Sequence, residues 1–226
     1  MDNVKIIEAK ESLLADNDKD ADRLREEMKR QGTFYVNLMS SPGSGKTSSL
    51  KQILSKMRDS FRIGVMEADI DSDVDAKTIA DLGIRAIQIH TGGMCHLDAD
   101  MSRQGLRAIA SSDLDLVFLE NVGNLVCPAE FDTGADLNLV ILSVPEGDDK
   151  PLKYPLMFEK ADAVLINKMD AVSCFDFDLG RAEANIHLRK PDVPVFPVSA
   201  SDGSGFDAFC AWLKEQVRQP KEADHE

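Results

Sequence analysis

Ser40-Ser41-Pro42-Gly43-Ser44-Gly45-Lys46-Thr47 decides the fold. An apolar run at residues 34–39 precedes it, and a segment of helical length, residues 47–58, follows it. A glycine-rich turn between a strand and a helix lets backbone N–H groups curl around phosphate oxygens, and the helix N-terminus adds its positive dipole. Lys46 can reach the β- and γ-phosphates of a nucleotide, and the Thr47 hydroxyl can ligate Mg²⁺. Gly43, Ser44, Gly45 and Ser48 complete the candidate cradle. Ser40 stands where such loops usually begin with glycine, but the Gly-x-Gly-Lys-Thr core is intact.

Working outward, short apolar runs alternate with helical stretches. Beyond residues 34–39 the runs are 63–67, 84–89, 116–120, 139–144, 164–166 and 195–198, with helical segments such as 76–82 and 97–111 between them. Strands alternating with helices predict βαβ units, hence an α/β P-loop NTPase with a mainly parallel sheet of about seven strands flanked by helices. In such sheets ligands bind at the carboxyl ends of the strands. Residues 2–31 are densely charged and carry Ile6, Ile7, Leu13, Leu14, Leu24 and Met28, which predicts one or two amphipathic helices ending near Gly32. The division expected is a helical extension over residues 1–31 packed on the domain, with a solvated flank as its ordinary reading. A nucleotide domain over 32–218 and a polar tail over 219–226 complete it.

The run 164–166 leads into Asn167-Lys168-Met169-Asp170. A carboxylate at Asp170 can accept bonds from guanine N1–H and the 2-amino group. Adenine would leave it unpaired, and a buried polar group without its partner discriminates by a factor on the order of 10⁴ in favourable cases. Asn167 is expected to tie this loop to the phosphate loop, and the Lys168 stem to lie along the base. Val198-Ser199-Ala200 follows the last strand, where the backbone of Ser199 and Ala200 suits contact with guanine O6. GTP and GDP are the expected ligands, and a small-molecule kinase on the same loop is disfavoured.

Two acidic strand ends complete the nucleotide side. The run at 116–120 ends in Glu120-Asn121-Val122-Gly123, where an acid can hold Mg²⁺ and a glycine N–H can meet the γ-phosphate. The second strand ends at Glu67-Ala68-Asp69-Ile70-Asp71-Ser72-Asp73-Val74-Asp75. Its aspartates can supply oxygen ligands or cap the following helix. Asp69 and Asp75 join Thr47 and Glu120 as the expected Mg²⁺ set. No dedicated base stands out. Phosphoryl transfer needs mainly positioning and charge neutralisation, so Lys46, Asp75 and Glu120 are expected to carry hydrolysis.

Cys95-His96 falls in the loop after the third strand and Cys127-Pro128 in the loop after the fourth. Both loops leave the same sheet edge, so the side chains can converge. Two thiolates and an imidazole suit Ni²⁺ or Zn²⁺ and leave a fourth position that a second chain could close. Small buried thiols beside a capping histidine are the alternative. Cys174 and Cys210 have no ligand partner nearby, and Cys210 reads as core.

Composition sets the wider limits. The 226 residues are 43% hydrophobic and carry a net charge of −14, which repels nucleic acid and anionic lipid. No stretch reaches the apolar length of a membrane span, and no signal core opens the chain, so a cytoplasmic protein with reduced thiols is expected.

Taken together, residues 40–47, 69–75, 91–98, 120–128, 146–150, 167–170 and 198–205 resemble the hydrogenase nickel-incorporation GTPases, HypB. That family also has serine in place of the first glycine. The resemblance implies a dimeric, metal-binding GTPase of the signal-recognition (SIMIBI) class with slow turnover. It implies delivery of nickel to the large subunit of a nickel–iron hydrogenase, together with a second nickel or zinc maturation factor. It also implies that Cys95, His96 and Cys127 form the metal site. The first cysteine is Cys95 and only four histidines occur. The N-terminal cysteine motif and histidine-rich stretch of some members therefore have no counterpart in this sequence. The urease accessory GTPases are similar in their nucleotide site but cluster a Cys-Pro-His triplet, where this chain has Cys127-Pro128-Ala129. A metal carrier whose nucleotide only controls dimerisation is the remaining alternative.

Overall fold

The computed structural model describes residues 9–69 and 74–219; of residues 9–11, 74 and 75 only the backbone path is described. Its strands are β1 (Phe34–Ser40), β2 (Ile63–Asp69), β3 (Arg85–His90), β4 (Leu116–Glu120), β5 (Leu137–Ser143), β6 (Ala163–Asn167) and β7 (Val195–Pro197). They form one sheet in the order β3-β2-β4-β1-β5-β6-β7, and every pairing is parallel. The sequence expectation of a mainly parallel, seven-stranded P-loop sheet is borne out.

The central strand shows why. All seven residues of β1 are buried, because helices cover both faces of the sheet. Val36 and Leu38 point to one face and pack with Leu50, Ile53, Leu54 and Met57 of α2 (Lys46–Met57). Phe206, Phe209 and Leu213 of α9 (Phe206–Arg218) complete that layer. Tyr35 points to the other face, among Leu24 and Met28 of α1 (Ala9–Gln31) and Leu106 of α4 (Ala99–Ala108). Beyond β5 the same face is closed by Met157 and Phe158 of α7 (Pro155–Glu159) and by Ala182 and Ile186 of α8 (Leu179–His187). Three shorter helices sit in the connections: α3 (Val74–Ala80), α5 (Cys127–Glu130) and α6 (Lys150–Lys153).

The N-terminal segment departs from the solvated-flank reading. Among the described residues it is one continuous helix, and Ala21, Leu24 and Met28 are fully buried or nearly so. Its bulk is polar, but the buried stripe recurs at helical spacing and meets the sheet. The helix ends where expected: Gly32 has φ +74° and the Thr33 N–H bonds back to the Met28 carbonyl.

Because all strands run the same way, the loops after β1, β2, β3, β4, β6 and β7 leave one rim. That rim gathers the candidate residues.

Candidate nucleotide and metal site

The loop after β1 turns into α2 with Gly45 at φ +95°. An added Cβ there would lie 2.5 Å from the Asn167 side-chain nitrogen, so glycine is required both by the backbone angle and by the neighbour. Lys46 Nζ donates to Ser40 Oγ at 3.1 Å, and Ser44 Oγ donates to the same hydroxyl at 2.6 Å. Ser40, where a glycine is more usual, thus organises the loop from within. Ser41 Oγ donates to Glu146, whose second oxygen caps Ser143 at the end of β5.

The loop after β6 closes on this one. Asn167 is buried, and its Nδ2 donates to the Ser44 carbonyl at 2.9 Å while its Oδ1 accepts from the Ala200 N–H at 3.1 Å. Lys168 takes a left-handed conformation, φ +64°, and its Nζ donates to the Gly43 carbonyl at 2.6 Å. Ser199 Oγ donates to Asp170 Oδ1 at 2.9 Å. That bond, with help from Ser201, holds the Asp170 carboxyl below its ordinary pKa, so it stays an acceptor. Gly45, Ser48, Asn167, Lys168, Asp170, Ala200 and Ser201 line one cavity, with Ser48 and Asp170 open to solvent.

On the other side of the glycine loop, Thr47 Oγ1 donates to Glu120 Oε1 at 2.8 Å. The two oxygens sit where both can turn to one hard cation, which suits Mg²⁺. Lys46, Asp69, Glu120 and Gly123 line a second cavity together with Glu67. Sequence reading passed over Glu67. It lies in register with Glu120 on the adjacent strand and is 3% exposed, and a glutamate this deep in a strand was the available signal. Asp69 is exposed at the strand end. The side chain of Asp75 lies outside the described residues; its backbone begins α3. Gly123 rests against the glycine loop, and a Cβ there would meet Pro42 Cα at 3.1 Å and Lys46 Nζ at 3.2 Å.

Cys95, His96 and Cys127 do converge. One ligand atom from each lies within 4.8 Å of the others. The sulfurs are 2.7 Å apart, and His96 Nδ1 is 3.8 Å from Cys95 Sγ. Burial lowers the His96 pKa and keeps the imidazole neutral, the form that binds metal. The Cys95 sulfur beside it, and then burial, raise the pKa of Cys127, so binding releases a proton. The donor set fits nickel or zinc. Sequence reading missed the support: the His96 ring stacks on Phe131, centroids 3.8 Å apart and planes 18° from parallel. Cys174 is exposed, and Cys210 is buried with its thiol pushed up to about 11 by desolvation, as a core residue should be.

A family model, the CobW/HypB/UreG nucleotide-binding domain, matches residues 34–197. The hydrogenase maturation factor HypB of Rhizobium leguminosarum bv. viciae is 45% identical over 214 residues, covering 95% of this chain and 72% of that protein. The crystal structure of HypB from Helicobacter pylori in complex with nickel superposes with a TM-score of 0.85 at 40% identity, covering 93% of this chain and 99% of that one. The signal recognition particle receptor FtsY of Elizabethkingia anophelis, in complex with GDP, shares the fold alone, with a TM-score of 0.55 at 14% identity. Likeness of this extent, running through the glycine loop and the cysteine-bearing loops alike, means that the chain belongs to the HypB family of hydrogenase maturation factors.

Proposed function

We propose that this chain is a GTP-hydrolysing metallochaperone that binds nickel and assists its insertion into the large subunit of a nickel–iron hydrogenase. The observation that carries the reading is the connection between β4 and α5. It starts at Glu120 beside Thr47, passes Gly123 against Lys46, and ends at Cys127 beside Cys95 and His96. One short segment thus belongs to both candidate sites.

In this reading backbone N–H groups of residues 43–47 cradle the phosphates, Lys46 balances the charge of the β- and γ-phosphates, and the Gly123 N–H meets the γ-phosphate. Thr47 and Glu120, with Asp69 and Asp75, hold Mg²⁺, which when bound neutralises phosphate charge. Asp170 reads the guanine edge, Asn167 and Lys168 keep that loop against the phosphate cradle, and Ser199 aims the carboxylate. Cys95, His96 and Cys127 hold nickel as cargo, with zinc as the competing ion. Three ligands leave a position that a second copy of the chain, the hydrogenase subunit or another maturation factor can fill. A homodimer in the cytoplasm follows from the same reading, with an N-terminal helical extension, a nucleotide domain and a polar tail as its parts. No helix among the described residues is long and apolar enough to cross a membrane.

The test combines phosphate release and nickel titration on one preparation. Release from GTP but not ATP, with nickel bound by wild type and lost in Cys127→Ala, is expected. Nickel binding with no phosphate release would replace the enzyme by a carrier whose nucleotide only controls dimerisation.

A further inference from the structure

Asn17 lies in the first half of α1 and is 9% exposed. Both ends of its amide are used. Nδ2 donates to the Asp132 carbonyl at 3.0 Å, and Oδ1 accepts from the Ala99 N–H at 3.0 Å. Ala99 opens α4, on the loop that has just delivered Cys95 and His96. Asp132 follows Phe131, the residue stacked on His96, on the segment that begins at Cys127. A single side chain that is not itself a candidate ligand therefore bridges the two stretches that carry the candidate metal ligands.

The surroundings reinforce that bridge. Arg25, further along α1, forks onto the Asp132 carboxylate at 2.8 and 2.9 Å and donates to the Ala135 carbonyl at 3.1 Å. Arg103 of α4 donates back to the Asp20 carbonyl at 2.9 Å. The residue type matters: an amide donates and accepts from one plane, whereas a carboxylate accepts only and an apolar side chain does neither. The apolar grip of α1 at Met28 lies at its other end. Attachment of the helix and the bridge between the loops are thus separable.

We propose that Asn17 is a positioning residue for the bound metal. It fixes the separation of the Cys95–His96 loop from the Cys127 segment, so that two sulfurs and one imidazole are gathered before the ion arrives. The proposal rests on Cys95, His96 and Cys127 being the ligands. Groups that orient ligands from the outer shell commonly change metal affinity about 10–100-fold, and a loss in that range is expected here.

The experiment titrates Ni²⁺ into the full chain with GDP bound, and records the thiolate-to-metal absorption of the Co²⁺ form. Wild type is compared with Asn17→Ala, Asn17→Asp, Met28→Val and Cys127→Ala. Asn17→Ala is expected to bind nickel about 10–100-fold more weakly, to shift the Co²⁺ band, and to keep its GDP affinity. Asn17→Asp retains the bond to Ala99 but sets an acceptor against the Asp132 carbonyl, and is expected to bind nickel at least as weakly as Asn17→Ala; it carries the test if the alanine variant does not fold. Met28→Val, which loosens the apolar end of α1, is expected to lower the melting temperature and leave nickel affinity alone. Wild-type nickel affinity in both Asn17 variants, or an equal loss in Met28→Val, overturns the proposal. Wild-type nickel affinity in Cys127→Ala overturns instead the ligand assignment on which it stands.

Discussion

The side-chain nitrogen of Asn167 donates to the backbone oxygen of Ser44 at 2.9 Å, across 123 residues of sequence. The same side chain accepts from Ala200, so three loops of the rim are pinned at one buried amide.

Gly45→Ala is expected to break this pin. The residue sits at φ +95°, and its new methyl would fall 2.5 Å from the Asn167 nitrogen. Left-handed strain costs about 1–2 kcal/mol, and a buried group that loses its partner costs about 1–3 kcal/mol. Melting temperature and GDP affinity should both drop. GDP affinity equal to wild type would show that the pin does not matter for the nucleotide.

Asp170→Asn should exchange the nucleotide preference. The carboxylate proposed to accept from guanine becomes an amide that can donate, which suits the 2-oxo group of xanthine. Competition between GTP and xanthosine triphosphate reads the outcome. Unchanged GTP affinity in the variant removes Asp170 from base recognition.

Lys46→Ala should abolish phosphate release and leave the fold intact. Its ammonium donates to Ser40 Oγ, and the side chain takes no part in the core. Circular dichroism tests one half and a turnover assay the other; normal turnover eliminates Lys46 from the chemistry.

Phe131→Ala should weaken nickel binding. The ring holds the His96 imidazole in plane, and aromatic pairs of this kind contribute about 0.5–1.5 kcal/mol, or roughly two- to tenfold in affinity. Phe131→Tyr keeps the stack and should bind as wild type. A titration in which the two variants behave alike argues against the stack.

Nucleotide state and metal affinity should be coupled through the segment from Glu120 to Cys127. A γ-phosphate that draws Gly123 inward shifts Cys127 relative to Cys95 and His96, which sit on another loop. Coupling of this sort is typically about 1–3 kcal/mol, or roughly 5–150-fold, and it is reciprocal. Nickel titrations of the GDP form and of a form with a non-hydrolysable GTP analogue decide it. Equal affinities would leave a metal site without a switch.

Much of this was legible in the sequence because it is local. The glycine loop, the Asn167–Asp170 motif and the strand runs are each set by neighbours along the chain. The convergence of Cys95 with Cys127 followed from all-parallel strands, whose loops share a rim. What stayed hidden depends on distant partners. Asn17 meets Ala99 and Asp132 across 82 and 115 residues, and nothing around it marks it off from the other polar residues of α1. Phe131 looks like any loop aromatic until His96 is laid against it. Glu67 ends a hydrophobic run as an exposed residue would, yet it is buried and lies in register with Glu120 of β4, a pairing that only the strand order reveals.

The strand order carries a consequence for synthesis. β1 pairs on one side with β4 and on the other with β5, which begins only at Leu137. A nascent chain that has emerged as far as Asp132 already holds Asn17, the phosphate loop and all three candidate metal ligands. It cannot yet cover the far edge of β1, whose unpaired N–H and C=O groups invite strands from other chains. Closing that edge and completing the cavity lined by Asn167, Lys168 and Asp170 both await residues beyond 136. The candidate thiols are therefore synthesised before the proposed nucleotide pocket can be completed, and any metal they captured that early would fall on the form most prone to aggregate.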